Sequence, residues 1–584
     1  YKNELQKNAK TFYEKQAFLM FSMDISGIQD FIYTINSKGA LKGLRSRSFY
    51  LEIMLENIID EILEKLEYSR TNLIYSGGGH AYIIFANTKE IKNTIDIFIK
   101  GVNKWFLEYF NTSLYIAASY VECSANQLGM RSNKGNDEEN HEEYKNIFKS
   151  LSNNISIKKS NRYSSGDILK LNESSHEDHS RECIICHRSD YLTAEDKCDI
   201  CSNLEGMSQD IINKNSFFVV LSDDSMLEKG KARIILPVNR YLVACGENDG
   251  KKYIKNEKFV RIYSKNRWYE GLKYSTKLWV GDYVPEGKYT FEDLVKSSTG
   301  IERLCVLRAD IDNLGQAFVS GFKNEHVSLS RVATFSRKLS IFFKKHINYL
   351  LENGEFFLDS VDRTEKDKKK RNIIIVYSGG DDVFLVGAWD DVIGASIDIR
   401  NAFKCFSQNT LTISAGIGIY PDKYPISAMA RESGDLEDEA KKYKDKNGNE
   451  KNALTLFSEK FTFSWDEFID KVINEKYKLI KEFFEKNNER GKNFLYNLLD
   501  YIRNTNEKIN IARFAYLLSR MEPDEKKLKN QELLEEQKAI YNRFKKNMYS
   551  WIKEKDGASR KELEIAIYLY VYLTREKESD RDGK

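Results

Sequence analysis

Ile373-Ile374-Ile375-Val376-Tyr377-Ser378-Gly379-Gly380-Asp381-Asp382-Val383-Phe384-Leu385-Val386 is two short β-rich runs joined by a glycine-containing turn. That pattern predicts a hairpin. It sets two adjacent carboxylates at an exposed tip. Adjacent acids repel one another and lose hydration, so they need a compensating charge, and a divalent metal is the usual one. A lone Asp-Asp pair is by default a solvated acidic turn. Two other features of the chain override that default.

The first is a third acid. Leu304 to Ala309 forms an apolar strand that runs into Asp310, and a helix-like segment follows at Leu314-Gly315. An acid at a strand end, beside a hairpin tip carrying two more, is how a site for two magnesium ions is built. Such a pair of ions activates an attacking hydroxyl and stabilises the leaving oxygen in phosphoryl or nucleotidyl transfer. Asp312 is the weaker candidate for that position.

The second is an internal repeat. Asp24-Ile25-Ser26-Gly27-Ile28-Gln29 aligns with Asp310-Ile311-Asp312-Asn313-Leu314-Gly315. Tyr75-Ser76-Gly77-Gly78-Gly79-His80 aligns with Tyr377-Ser378-Gly379-Gly380-Asp381-Asp382, and Ser113 to Ala118 aligns more weakly with Leu411 to Gly416. Three matches in one order imply two copies of one domain. The first copy carries Gly79 and His80 where the second has its acids. The reading is therefore one catalytic palm and one substrate-holding palm.

The chain of 584 residues is long enough for three to five domains, and 41% apolar with 31% charged residues predicts a soluble, folded protein. A net charge of +3 leaves any nucleic-acid contact to local patches. No apolar run approaches the ~20 residues needed to span a membrane. The chain starts at Tyr1 with no visible secretory signal, which predicts a trimmed chain with an N-terminal part absent. Four of eight cysteines form two knuckles, Cys183-x-x-Cys186 and Cys198-x-x-Cys201, the spacing of a tetrahedral structural zinc site. His187 beside them reads as a bystander, and the remaining cysteines read as core or surface residues. Reduced, metal-binding cysteines predict a cytoplasmic protein.

The expected organisation is α+β and multidomain: a first palm over 1–165, a zinc-binding linker domain over 166–297, a second palm over 298–460, and a C-terminal helical domain over 461–584 of four or five helices. Arg131 to Ser180 reads as a polar linker, with one helix at Glu142–Leu151, and Arg363 to Arg371 reads as disordered.

Asp24 to Tyr33, Leu44-Arg45-Ser46-Arg47-Ser48-Phe49-Tyr50, the four-cysteine unit and the Gly-Gly-Asp-Asp palm follow one another in an order that resembles a known family. The chain resembles the large palm-domain subunit of type III CRISPR–Cas effector complexes, of the Csm type, over essentially its whole length. The resemblance implies ferredoxin-like palms similar to those of nucleotide cyclases and polymerases. It implies synthesis of cyclic oligoadenylate from ATP, switched on when the complex pairs its CRISPR RNA with a target RNA. It also implies partners: a Cas5-like subunit capping the guide-RNA end, backbone subunits and small subunits. Family members often begin with an HD-type nuclease domain. The seven histidines here include no His-Asp dipeptide, and His176-Glu177-Asp178-His179 reads as solvated surface, so that domain is expected to be trimmed off or lost.

On that resemblance Asp310, Asp381 and Asp382 hold two Mg²⁺ or Mn²⁺ ions and catalyse 3′–5′ transfer between ATP molecules. Gly379 and Gly380 let a triphosphate approach the backbone. A second ATP is expected against Gly77, Gly78 and Gly79. Ser378 and Ser76 are candidate base or sugar contacts, with a turn hydroxyl bonded to its own backbone as the alternative. Lys441, Lys442 and Lys451 are candidate triphosphate contacts. Arg45 and Arg47 read either as phosphate contacts or as palm–palm interface, with Arg331, Ser336 and Arg337 on comparable ground in the second copy. Two rival readings stand beside this one: a GTP-using cyclic dinucleotide cyclase of the Gly-Gly-Asp-Glu-Phe type, and a non-catalytic scaffold of an RNA complex.

Overall fold

The computed structural model describes residues 3 and 8–575, except 36–39, 130–136, 174–181, 189–191, 194, 226, 229, 268–273, 289, 322–328, 361–367, 447, 487–492, 505–507, 524–530 and 555–556. The expected His176–His179 surface run and residues 363–367 lie outside the described residues.

Strand β1 (Phe18–Ser26) shows why the chain folds as layers. Leu19, Phe21, Met23 and Ile25 alternate along it and enter a core shared with helices Ala40–Lys65 and Lys89–Phe110. Met20 points the other way, onto Tyr144, Ile147 and Leu151 of helix Asp137–Ser160. With β2 (Leu73–Gly77), β3 (His80–Ala86) and β4 (Tyr115–Cys123) it forms an antiparallel sheet in the order β2-β3-β1-β4. Two helical crossovers complete a ferredoxin-like βαββαβ unit.

The linker domain is a five-stranded sheet of β5 (Phe217–Leu221), β6 (Ile234–Leu236), β7 (Arg240–Cys245), β8 (Phe259–Lys265) and β9 (Thr276–Leu278), ordered β6-β7-β5-β8-β9. The second palm repeats the first. Its strands β10 (Leu304–Ile311), β11 (Ile373–Ser378), β12 (Asp382–Ala388) and β13 (Ile413–Tyr420) are ordered β11-β12-β10-β13. β14 (Ala453–Leu456) and β15 (Thr462–Ser464) widen the sheet, so it extends past residue 460. From Glu467 onward the described residues are helical, and their apolar faces merge with the second palm in one core from Ile301 to Val571.

Two expectations need correction. Residues 137–173 are not a linker with one short helix: helix Asp137–Ser160 is continuous and Ser165–Glu173 follows, while the rest of the expected linker, 131–136 and 174–180, lies outside the described residues. Tyr144, Ile147, Phe148, Leu151 and Ile155 recur at helical spacing among polar residues, and burying that narrow stripe on the sheet stabilises the helix. Nor is Arg371 disordered. It is fully buried, pairs with Asp398, and donates to the carbonyls of Phe356 (2.7 Å) and Asp391 (3.1 Å). A run of lysines hides one arginine that staples the strand start to helix Trp389–Phe406.

Arg371→Ala leaves Asp398 buried without its cation and should cost about 3–5 kcal/mol in chemical denaturation. Lys368→Ala, which breaks an exposed pair with Glu355, should stay within about 0.5 kcal/mol of the parent. Equal, small losses for both would show that the buried pair is not what holds this corner.

Candidate active site at the palm–palm interface

In the second palm β10 lies between β12 and β13, and Asp310 stands directly opposite Asp382 across the β10–β12 ladder. Directly opposed residues share a face, so both carboxylates leave the sheet on the same side. Asp381 is the last turn residue before β12, and its carbonyl accepts from the Ile311 N–H at 3.2 Å. The first palm makes the equivalent bond, Ile25 N–H to the Gly79 carbonyl, at 2.9 Å. Gly27 and Asn313, equivalent in the repeat, both take left-handed backbone (φ 90° and 56°) and both start a short helix. Local conformation thus repeats along with the motif.

The two glycine turns meet. A Cβ on Gly77 would sit 3.0 Å from the Cα of Gly380, and one on Gly380 would sit 2.6 Å from the Tyr75 hydroxyl. On Gly78 it would lie 3.3 Å from Asp381 Oδ1. The hairpin tip is therefore not exposed, as its sequence suggests; the other palm covers it. A cavity of ≈ 1060 Å³ opens beside the contact. Its second-palm wall includes Asp310, Asp381, Asp382, Arg308, Glu437 and Lys441. Its first-palm wall includes Gly27 to Asp30, Ile32 to Thr34, Gly78, Lys159 and Arg162.

Electrostatics in the two palms differ. In the second, burial first, then the neighbouring Asp310 carboxylate, push Asp381 up to about 7. Burial and the charges of Asp381 and Asp310 hold Asp382 well above the usual carboxylate range. Asp382 Oδ1 is buried without a hydrogen-bond partner. A carboxylate cluster with an orphaned oxygen, offset only in part by Lys441, fits a divalent cation. Lys441 spans Asp310 (2.7 Å) and Glu437 (2.6 Å), while Arg308 holds the far side of Glu437 at 3.2 Å. In the first palm the counterpart of Asp310 is already satisfied. Asp24 accepts from Lys159 at 2.9 Å and faces His80 Nδ1 at 3.3 Å, and the other ring nitrogen of His80 meets Ser22 Oγ at 3.0 Å. Burial raises Asp24, but His80 and Lys159 outweigh it and leave the carboxyl below its ordinary value.

Other expected site residues are placed differently. Ser378 turns away from the cavity: it is buried and donates to the Phe343 carbonyl at 2.7 Å. Ser76 donates to Glu56 at 2.7 Å. Period-two alternation puts each serine on the sheet face opposite the acids. Gly379 and Gly380 are buried, Gly379 under Tyr377 and Asp382. Lys442 is exposed and paired with Glu439, and Lys451 reaches Asn313 Oδ1 at 2.5 Å. Asp312 is structural, accepting from Thr412 Oγ1 (2.7 Å) and the Asn452 N–H (3.0 Å). Arg331 and Arg337 lie on the exposed side of helix Leu329–Ile341, and Ser336 is buried in it. Arg45 lies where the first palm's long helix meets Gly281 and the second palm's Tyr377 and Ser378. Arg47 bonds the Phe31 carbonyl (2.6 Å) and Cys201 Sγ (3.2 Å) rather than a phosphate position. Residues not singled out from sequence are Arg308, Glu437 and Lys159; the wall helix Ile28–Tyr33 reads there as part of a motif and not as a site wall. Glu437 and Lys441 are four apart on one helix, a spacing that would have paired them.

The four cysteine sulfurs lie within 4.8 Å of one another, the one such group of metal-ligating side chains among the described residues. None is in a disulfide, and Cys186 and Cys198 are 3.6 Å apart. That is close to the edge of a zinc tetrahedron with bonds of about 2.3 Å, so the set fits structural zinc. His187 points outward to Glu182, 3.7 Å away.

Comparison with known proteins agrees with this architecture. The Csm1 subunit domain B profile matches residues 17–174, the Cas10/Cmr2 second palm domain matches 303–452, and the second helical domain of the CRISPR RNA silencing complex Cmr2 subunit matches 481–576. The "CRISPR system single-strand-specific deoxyribonuclease Cas10/Csm1 (subtype III-A)" of Mycobacterium tuberculosis is 42% identical over 99% of this chain and 70% of its own length. The protein of that name from Enterococcus italicus is 41% identical over 89% of this chain and 64% of its own. Among solved structures, a Csm1–Csm4 cassette in complex with pppApA superposes with TM-score 0.68 at 24% identity, covering 97% of this chain and 71% of that one. A Csm1–Csm4 cassette with one ATP gives 0.65 at 25% identity, over 94% and 70%. One with cA3 gives 0.64 at 25%, over 95% and 70%.

The acids make a pH prediction. Asp381 moves from an ordinary 3.8 to about 7 in the folded state, and Asp382 moves the same way. The folded protein then holds protons that the unfolded chain has released. Stability is complete below the unfolded value and is lost as pH rises through the folded one. In buffer free of magnesium and manganese, melting temperature should fall from about pH 5 to about pH 8, and fall less in Asp381→Asn/Asp382→Asn. Parallel curves for the two proteins would overturn the assignment.

Proposed function

This chain belongs to the Cas10/Csm1 family of subtype III-A CRISPR systems, and we propose that its palm–palm cavity joins ATP molecules by 3′–5′ nucleotidyl transfer into cyclic oligoadenylate. One observation carries this reading: Asp310, Asp381 and Asp382 open into a cavity whose other wall is the first palm, with helix Ile28–Tyr33, Gly78 of the glycine turn, Lys159 and Arg162. A substrate-sized space lined by one acidic and one neutral palm suits two nucleotides in different roles. The one-ATP and cA3 complexes of the Csm1–Csm4 cassettes support the same substrate and product class.

In this reading Asp310, Asp381 and Asp382 hold Mg²⁺ or Mn²⁺, which when bound would neutralise triphosphate charge and lower the pKa of a 3′-hydroxyl. Lys441 supplies a cation beside Asp310, kept in place by Glu437, which Arg308 anchors from behind. Gly78 leaves the space before Asp381 unobstructed by a side chain, so a substrate can approach the backbone there. In the first palm Lys159 pairs with Asp24 and His80 stands where the second palm has Asp382, so that palm holds substrate without gathering metal. The chain acts with a Csm4-type, Cas5-like subunit, backbone and small subunits, CRISPR RNA and target RNA, and pairing with the target RNA turns the site on. The zinc unit is structural.

The relatives' names carry a second reading, cleavage of single-stranded DNA, and the palm alone also suits a GTP-using dinucleotide cyclase. The test is the guide-RNA complex with target RNA, given labelled ATP, GTP or single-stranded DNA. Cyclic oligoadenylate from ATP alone, reduced by about 10²–10³-fold or more in Asp381→Ala/Asp382→Ala, is the expected result. Lys441→Ala should fall between parent and double variant. Product from GTP would favour the cyclase, and DNA cleavage lost with the same two acids would favour hydrolysis at this site. Unchanged oligoadenylate in the double variant would overturn the assignment.

A further inference from the structure

Arg47 has no place in the reaction just described, yet it is one of the most enclosed charges in the molecule, 3% exposed. It lies on helix Ala40–Lys65. Among the described residues no carboxylate forms an ion pair with it. A buried guanidinium without a counter-charge is costly. Its contacts show what replaces one. Nη2 donates to Cys201 Sγ at 3.2 Å, Nη1 donates to the Phe31 carbonyl at 2.6 Å, and the guanidinium lies 4.8 Å over the Phe31 ring.

Both polar partners are informative. Four thiolates around one zinc ion carry a net charge of −2, and Cys183, Cys198 and Cys201 are buried, so that charge also needs a partner away from water. Phe31 is in the last turn of helix Ile28–Tyr33, where carbonyls have no helical partner and favour a cation. That helix is not incidental: Ile28, Gln29, Asp30, Ile32 and Tyr33 line the nucleotide cavity, and the Tyr33 ring packs 4.9 Å from Phe384, two residues from Asp382. One side chain therefore joins the four-cysteine unit to a wall of the cavity.

We propose that Arg47 is the buried counter-ion of the tetrathiolate zinc centre and, through the Phe31 carbonyl, a positioning residue that sets the first-palm wall of the nucleotide cavity. This rests on the proposed function for the identity of the nucleotide, but not for the zinc half. Arginine is required by geometry: its fork serves a sulfur and a carbonyl at once, whereas a lysine ammonium is a single point. Arg47→Lys should then keep the charge and lose the bridge.

The experiment uses the full chain in its complex and two readouts. Zinc(II) retention is followed by transfer to the chromophoric chelator 4-(2-pyridylazo)resorcinol. ATP affinity is followed by equilibrium titration with magnesium present, so that turnover is not needed. Arg47→Met should lower zinc affinity about 10–100-fold, the usual range for groups supporting a metal's ligands. It should weaken ATP binding several-fold in the same protein. Arg47→Lys should recover most of the zinc affinity but little of the ATP affinity. Ser48→Ala, next in the chain, should change neither. Circular dichroism melting identifies a variant that does not fold; in that case Arg47→Lys alone decides, by separating the two readouts. Unchanged zinc retention in a folded Arg47→Met overturns the counter-ion role. Unchanged ATP affinity there, or equal recovery of both readouts by lysine, overturns the positioning role. If the parent complex converts no ATP, the proposed function falls while the zinc result still stands.

Discussion

The contact on which the rest depends is the meeting of two glycine turns, Gly77-Gly78 from one palm and Gly379-Gly380 from the other. A Cβ on either Gly77 or Gly380 would press on the Cα of the other, so glycine lets the two backbones approach closely here. That closeness brings the acids of one palm up to the bare turn of the other. It also buries the acids enough to raise Asp381 and Asp382, and leaves a cavity where water alone would be a poor counter-ion. Behind the turns, Glu52 of the first palm pairs with Lys344 of the second, and Ser378 is tied to Phe343. The acidic hairpin is thus clamped from its back while its front stays open.

Two copies of one fold then diverge by charge. Each palm keeps an acid at the end of its first strand, and each sets a lysine on that acid at under 3 Å. In the first palm His80 replaces the acid across the ladder, so Asp24 meets a lysine and an imidazole and no second carboxylate. In the second, Asp382 adds negative charge where the first has His80, and Asp381 adds more, beyond what Lys441 can offset. On two copies of the same four-stranded core, the difference between the halves at this position is one of charge.

Much of this was legible in residue order. Apolar alternation, the repeated motifs and the cysteine spacing are local, and local signals survive the absence of coordinates. Ser378 and Ser76 show the limit: their nearness to the glycines along the chain was read as nearness to the substrate, and strand alternation sends them the other way. Of helix Asp137–Ser160 only Glu142–Leu151 was legible, because its apolar stripe is narrow and diluted by lysine and asparagine. Arg371 was hidden because a charge in a lysine run reads as solvated until a partner 27 residues away closes on it.

What the sequence determined alone was composition of the chemistry: three acids in the second copy, a histidine in the first, four cysteines at zinc spacing, and a repeat that makes two palms. These depend on residue type and on separations short enough for backbone geometry to decide. Which face each side chain takes, which lysine meets which acid, and that Arg47 bonds Cys201 and the Phe31 carbonyl were decided only by tertiary structure. Those outcomes depend on contacts between residues tens to hundreds of positions apart, and a charge has no fixed role until burial removes its water and selects its partner.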